Sequence, residues 1–332
     1  MTTRFAVLGA GRIGQVHARA IHAVPGAVLT AVADPFADAA KAVADQYGCD
    51  IREIAAIETS DDVDAVVICT PTDTHADLIE RFCRAGKAVF CEKPVDLDVA
   101  RVRDCLKVVA ATSGRVMVGF NRRFDPDFAA LKAAIDAGRI GKVEMVTITS
   151  RDPGAPPYDY ITRSGGIFRD MTIHDFDIAR WLLGEEVDSV MAQGSVLTDP
   201  KIAELGDYDS ANIILRTASG KQAIITNSRR ATYGYDQRIE VLGETGMVSA
   251  RNHQQNRIEM ADAAGFHAAP LLDFFMTRYT AAYAAEIAAF VAALRDGTPM
   301  PTTTHDGLKA LELAEAALTS AQTQQAVQLT HS

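Results

Sequence analysis

Residues 4–14 read Arg4-Phe5-Ala6-Val7-Leu8-Gly9-Ala10-Gly11-Arg12-Ile13-Gly14, and this stretch decides the fold. The unbroken apolar run from Phe5 to Leu8 has the pattern of a strand buried on both faces. Three glycines follow in the spacing GxGxxG and lead into a helical pattern from Gly14 to Val24. Each glycine has its own task in such a turn. The first permits a tight bend, the second lets backbone approach a pyrophosphate, and the third lets helix and strand pack closely. The helix start then offers N–H groups and the positive end of its dipole to phosphate oxygens. Gly9, Gly11, Arg12, Ile13 and Gly14 are therefore candidate cofactor residues.

Asp34 strengthens that reading. It follows the second apolar run, Val28 to Ala33, about 20 residues beyond the third glycine, where a dinucleotide fold places an acid. A carboxylate there accepts hydrogen bonds from ribose hydroxyls and repels a 2′-phosphate, so the expected cofactor is NAD rather than NADP. The plain alternative for Asp34-Pro35 is a turn after a strand. A Walker A loop is excluded, because Gly138-Arg139-Ile140-Gly141-Lys142 has the wrong glycine spacing and Val143 stands where Ser or Thr is needed.

Further apolar runs, Ala65 to Cys69, Ala88 to Cys91 and Val116 to Gly119, alternate with helical patterns at Ala37 to Tyr47, His75 to Ala85 and Val99 to Ser113. That alternation predicts βαβ units and a doubly wound parallel sheet, an α/β domain over residues 1–120. Beyond residue 141 the pattern changes. Residues 142–151, 187–198, 209–217, 221–230, 236–242 and 246–251 read as strands, with Ser219-Gly220 and Glu244-Thr245-Gly246 as hairpin turns. Asp273 to Arg295 and His305 to Gln322 read as closing helices. Residues 121–332 are thus expected to form an α+β domain on a large, mostly antiparallel open sheet.

Composition narrows the function. The 332 residues carry 33 Lys+Arg against 43 Asp+Glu, a formal net charge of −10, which argues against nucleic acid or an anionic membrane as partner. The five cysteines form no CxxC pair and are odd in number, so a disulfide framework or structural zinc is not expected and a reducing cytoplasm fits. The apolar run at Phe5 leaves no room for a signal peptide, and the alanine-rich stretch Tyr279 to Leu294 is interrupted by Glu286 and too short for a bilayer.

Two segments fall at strand ends, on the side where a doubly wound sheet binds ligands. One holds Thr70, Pro71 and His75; the other is Glu92-Lys93-Pro94. Thr70-Pro71 also reads as a strand stop, with Thr72, Asp73 or Thr74 capping the next helix. A lysine at a strand end above the nicotinamide faces the reacting centre. Further along, Asp170, His174 and Asp177 are spaced four and three apart in a segment that reads as one helix from Gly166 to Leu183, ending at Gly184. That spacing puts them on one stripe, with Met171, Ile178 and Leu182 on another face. The competing reading is a solvated acidic face. A metal is not expected, since no third ligand accompanies Asp170 and His174. Cys91 reads as a buried strand residue, there is no GxSxG elbow, and His17 and His22 read as packing or surface residues.

The segments Gly9 to Gly14, Thr70-Pro71 with His75, Glu92-Lys93-Pro94 and Gly165 to Asp177 together resemble the glucose-fructose oxidoreductase, inositol dehydrogenase and MocA superfamily. The resemblance covers essentially the whole chain. Through Gly119 to Pro126, Ser150-Arg151-Asp152-Pro153 and Phe168 to Asp175 the chain looks most like the bacterial inositol 2-dehydrogenases within it. The resemblance implies a Rossmann domain followed by an α+β domain, a cis Lys93-Pro94 bond, and a homotetramer (or dimer) built through the open sheets. It also places comparable residues to Asn121, Arg123, Asp152, Tyr233 and Tyr235 near substrate. Tyr233-Gly234-Tyr235 equally reads as a structural hairpin, and the choice between the tyrosines stays open.

The expected chemistry follows from these groups. Oxidising a secondary alcohol needs a base for the hydroxyl proton while the hydride leaves toward nicotinamide, and histidine suits that near neutral pH. His174 is expected as the base, Lys93 as the group that holds the substrate oxygen, and Asp170 as a partner of Lys93 or of the imidazole. A relay that begins at Lys93 remains the alternative. The leading expectation is an NAD-dependent oxidoreductase acting on a CH–OH group, taking myo-inositol to 2-keto-myo-inositol (scyllo-inosose). The alternatives are a scyllo-inositol or hexose dehydrogenase, a redox-neutral NAD-dependent glycosidase or lyase, and a non-catalytic NAD-binding sensor.

Overall fold

The computed structural model describes residues 2–330. By compactness the chain forms two units, one running to Asp125 and taking in Thr280–Leu311, the other comprising Pro126–Tyr279 and the residues from Glu312 onward. In the first unit the elements are β1 (Thr3–Leu8), α1 (Arg12–Ala23), β2 (Ala27–Ala33), α2 (Ala37–Tyr47), β3 (Asp50–Ile51), α3 (Ile54–Thr59), β4 (Ala65–Ile68), α4 (His75–Arg84), β5 (Ala88–Glu92), α5 (Val99–Ala111) and β6 (Val116–Gly119). The strands form one parallel sheet in the order β3-β2-β1-β4-β5-β6. Its order reverses between β1 and β4, the switch point where such sheets bind ligands. Phe5, Ala6, Val7 and Leu8 are fully buried, as are Ala65 to Ile68 and Val89 to Cys91, which is why these strands read as unbroken apolar runs.

The second unit begins with α6 (Pro126–Asp136), β7 (Val143–Arg151), α7 (Tyr158–Ile161), α8 (Ile173–Leu183), β8 (Val187–Ser195), α9 (Pro200–Glu204) and β9 (Ser210–Thr217). It continues through β10 (Gln222–Ser228), β11 (Asp236–Gly243), β12 (Gly246–Ala250), β13 (Glu259–Asp262), β14 (Gly265–Ala268) and α10 (Phe275–Arg278). Then α11 (Thr280–Asp296) belongs to the first unit, the boundary at Leu311 falls within α12 (Thr304–Thr323), and β15 (Val327–Gln328) closes the chain. The large sheet has the order β12-β11-β7-β10-β9-β8-β15, antiparallel except for the β10–β7 pair. Along β9 and β11 buried and exposed residues alternate, so one face is packed and the other solvated. Helix α8 covers β7 and β10 on the packed face.

Two expected helices differ in the structure. The segment 273–295 is broken at Tyr279, whose φ of −107° and ψ of 19° leave the helical region. Its ring is buried and meets Tyr235 edge-on at 6.0 Å, an aromatic contact that wins over helix continuity. The segment 166–183 is not one regular helix either. Phe168–Thr172 form a π-helical turn before α8 begins, and Gly184, at φ 63°, ends α8 as expected. The β13–β14 hairpin was not legible in the sequence because all eight of its residues are exposed and show no alternation.

Candidate active site

The glycine turn has the clearances its sequence implies. Gly9 adopts φ +93°, and a Cβ there would lie 2.7 Å from the Cys69 carbonyl oxygen. A Cβ on Gly14 would lie 1.9 Å from the Gly9 carbonyl, so helix α1 packs on β1 only with glycine at this position. Gly11 meets nothing within 4 Å, and as the N-cap of α1 it brings no side chain to the helix's first N–H groups. Asp34 sits beside this turn. Its Oδ2 accepts a hydrogen bond from the Ala10 N–H at 2.6 Å, and its Oδ1 accepts one from the Phe36 N–H at 2.8 Å. Each oxygen keeps lone-pair capacity for a ribose hydroxyl. An open backbone cradle, an uncapped helix start and a fixed carboxylate together fit NAD.

His75 is buried and ties the other two strand-end segments together. Its Nδ1 lies 2.7 Å from the Pro94 carbonyl oxygen and its Nε2 lies 2.8 Å from that of Thr70. Sequence reasoning put His75 among the cofactor residues; the geometry makes it a brace between the loops after β4 and β5. The alternative reading of residues 72–74 as a helix cap holds for position alone, since Thr74 is the N-cap of α4. No side chain caps α4, and the Thr74 hydroxyl instead donates to the Pro71 carbonyl at 2.7 Å and lies 2.6 Å from the Thr70 hydroxyl. Lys93-Pro94 is cis, as the resemblance implied. Glu92 is buried, with Oε2 accepting from the Lys93 N–H at 3.2 Å and Oε1 lying 2.6 Å from His17 Nε2. His17 is fully buried between Phe90 and Tyr283, so it packs as expected and also binds Glu92. Burial pushes the Cys69 and Cys91 thiols well up, so neither is a ready nucleophile.

Asn121 is buried in the short turn after β6, and Arg123 in the same turn donates to Asp306 Oδ1 at 2.9 Å. Burial raises the Asp306 carboxyl, but Arg123 and the Thr303 donors overcome it and hold the group below the usual range.

In the second unit, the π-helical turn sets out Asp170, and His174 follows in the first turn of α8. Asp170 Oδ1 accepts from the Tyr160 hydroxyl at 2.9 Å, and its Oδ2 lies 3.7 Å from Arg229 Nη2. Arg229 is almost fully buried, and a second carboxylate, Asp207, stands 3.3 Å from the same nitrogen. Burial raises the Asp207 carboxyl, with Arg229 acting against the shift. A further buried network fixes the start of α8. The Thr172 hydroxyl donates to Asn227 Oδ1 at 2.6 Å, and Asn227 Nδ2 donates to Asp175 Oδ2 at 2.8 Å. His174 is thereby flanked by two residues locked to β10. Asp177 is buried, which removes the solvated acidic face as a reading of this helix.

The substrate candidates from the loops separate into two environments. Asp152 is half-buried, with its N–H donating to Ser228 O and its carbonyl accepting from Ala231 N–H, so the end of β10 and the loop after it hold its backbone on both sides. Tyr233 is 51% exposed, and its hydroxyl donates to Asp236 Oδ2 at 2.6 Å and accepts from Arg151 Nη1 at 2.9 Å. Tyr235 is buried against Phe274 and Tyr279. Arg229, Tyr160 and Asn227, which hold Asp170 and the start of α8, were missed by sequence reasoning, and none of them carried a local signal.

A glycine cradle at the switch point with the Asp34 carboxylate beside it, and a lysine just after β5, have the arrangement of an NAD-binding oxidoreductase of the Rossmann class. Residues 3–120 match the oxidoreductase family with an NAD-binding Rossmann fold, and residues 128–249 match the GFO/IDH/MocA C-terminal domain. The chain belongs to the GFO/IDH/MocA family. An inositol 2-dehydrogenase of Rhizobium meliloti (strain 1021) is 66% identical over 320 residues, 96% of this chain and 97% of that protein. The crystal structure of a myo-inositol dehydrogenase from Corynebacterium glutamicum superposes with a TM-score of 0.96 at 44% identity, covering 100% of both chains. That of a scyllo-inositol dehydrogenase from Lactobacillus casei, with bound NAD(H) and scyllo-inositol, gives a TM-score of 0.92 at 29% identity over 99% of both chains.

Proposed function

We propose that this chain oxidises a secondary hydroxyl of a cyclitol with NAD, taking myo-inositol to 2-keto-myo-inositol (scyllo-inosose). The observation that carries the reading is likeness to an inositol 2-dehydrogenase along nearly the full length, through the α+β half as well as the cofactor half. Bound NAD supplies the hydride acceptor. His174 takes the proton of the reacting hydroxyl, within the range where an imidazole works near neutral pH. Lys93 sets its ammonium against the oxygen as negative charge develops there. Asp170, steadied by Tyr160 and Arg229, pairs with Lys93 or orients the imidazole. Asn121, Arg123 and Asp152, with one of Tyr233 and Tyr235, serve the remaining ring hydroxyls. Oxidation of scyllo-inositol is the second reading, favoured by the likeness to a dehydrogenase holding that ligand.

The same reading assigns the chain to the cytoplasm as a homotetramer. All five cysteines are free thiols, which suits a reducing compartment, and no described helix is long and apolar enough to cross a membrane. The solvated face of the large sheet presents Met145, Ile214, Ile224, Leu242 and Met247 at 37% to 54% exposure, an apolar surface suited to a second copy. The test is NADH formation from NAD with myo-inositol, scyllo-inositol, glucose and galactose. The fastest rise is expected with myo-inositol. Reduction only with a hexose, or none despite NAD binding, defeats the reading.

A further inference from the structure

Beneath Lys93 lies a buried group of titratable side chains that the mechanism does not use. His17 comes from α1, Glu92 from the end of β5 and Glu286 from the middle of α11, and one ligating atom from each lies within 4.8 Å of the others. His17 and Glu286 are fully buried, and Glu92 is 9% exposed. Glu92 is well served, by His17 on one oxygen and the Lys93 N–H on the other. Its carboxyl group lies flat over Gly119, where a Cβ would come within 3.3 Å of all three carboxyl atoms. Neither oxygen of Glu286 has a hydrogen-bond partner among the described residues, and nor does Nδ1 of His17.

Two carboxylates this close in a dry interior cannot both stay ionised. The charge belongs on Glu92, which has donors; the proton belongs on Glu286, which has none. A shared metal ion fits less well. His17 Nε2 and Glu92 Oε1 are 2.6 Å apart, a hydrogen-bond distance, whereas two ligands on one tetrahedral ion with bonds of about 2.0–2.1 Å stand roughly 3.3 Å apart. We propose that Glu286 is carried as a neutral carboxylic acid and, with His17, forms the base on which the Glu92-Lys93 turn is set, making Glu286 a positioning residue for Lys93. The groups that face it are His17 from α1, Cys69 after β4 and Glu92 from β5, with Tyr283, one turn earlier on α11, packed edge-on against His17. Burial, and then the Glu92 charge, raise Glu286 well above the usual carboxyl range, in agreement with the geometry.

The sign of the linkage gives a test that needs no activity. Above the ordinary carboxyl range the native protein holds a proton on Glu286 that the unfolded chain releases, so stability falls as pH rises. Unfolding near pH 7 is expected to release about one proton more from the wild type than from Glu286→Gln, read by calorimetry in buffers of different ionisation enthalpy. The catalytic arm rests on the inositol reading. Glu286→Ala is expected to lower kcat about tenfold with NAD affinity held, and Glu286→Gln, which keeps shape and neutrality, to restore it to within about threefold. Equal proton release from wild type and Glu286→Gln overturns the proposal, as does one divalent metal ion per purified chain. Equal loss of kcat in the Gln and Ala variants overturns the positioning role, while the proton count stands apart from any failure of the inositol reading.

Discussion

His174, the base of the proposed reaction, has neighbours that are tied down. Thr172 and Asp175 on either side are bound through Asn227 to β10, so the backbone that carries the imidazole is anchored before and after it. Replacing His174 with Ala is expected to lower kcat by about 100-fold or more while NAD still binds, measured by steady-state NADH formation and cofactor titration. Near-native turnover at neutral pH would take the base role from it. Arg229 makes the opposite kind of prediction. Its guanidinium stands between Asp207 and Asp170 inside the second unit, so Arg229→Leu removes a buried cation that faces both carboxylates. A loss of about 3–5 kcal/mol is expected in denaturant unfolding, as for other broken buried ion pairs. Sequence alone made Asp170 a candidate, yet gave no hint of Arg229, because the two stand 59 positions apart and meet only on folding.

Elements whose identity is local were the readable ones. Strand β1, its glycine turn and α1 were legible because the apolar run and the three glycines each carry their own steric reason. A Gly14→Ala chain is expected to lose NAD binding or folding outright, since the Gly9 carbonyl occupies the space a Cβ needs; wild-type cofactor affinity by fluorescence titration would contradict this. The hairpin turns at Ser219-Gly220 and Glu244-Thr245-Gly246 were legible for the same reason, and they join β9 to β10 and β11 to β12. Elements set by distant contacts were not. The break at Tyr279 follows from its packing on Tyr235, and the π-helical turn at Asp170 precedes a segment whose anchors lie on β10. Periodicity at 3.6 residues per turn cannot register either one.

At the scale of the whole molecule, the sequence announced the switch from alternating βαβ units to a meander of paired strands, and both sheets form. It gave no sign that α11 returns to the first unit, since an alanine-rich helix looks alike wherever it packs. That return is what brings Glu286 to His17 and Glu92. The exposed apolar face of the second sheet has a consequence of its own. Placing charge there, as in Ile214→Asp with Met247→Asp, is expected to shift the protein toward smaller species in analytical ultracentrifugation with the fold intact; an unchanged mass would remove this face from the assembly. The measurement that reaches the central claim most directly uses myo-inositol carrying deuterium on the carbon to be oxidised. The account predicts that the label moves to the nicotinamide ring, one deuterium per ketone formed, with turnover slowed where hydride transfer limits the rate. Ketone formation with the label lost to water, or no reduced cofactor at all, would contradict it.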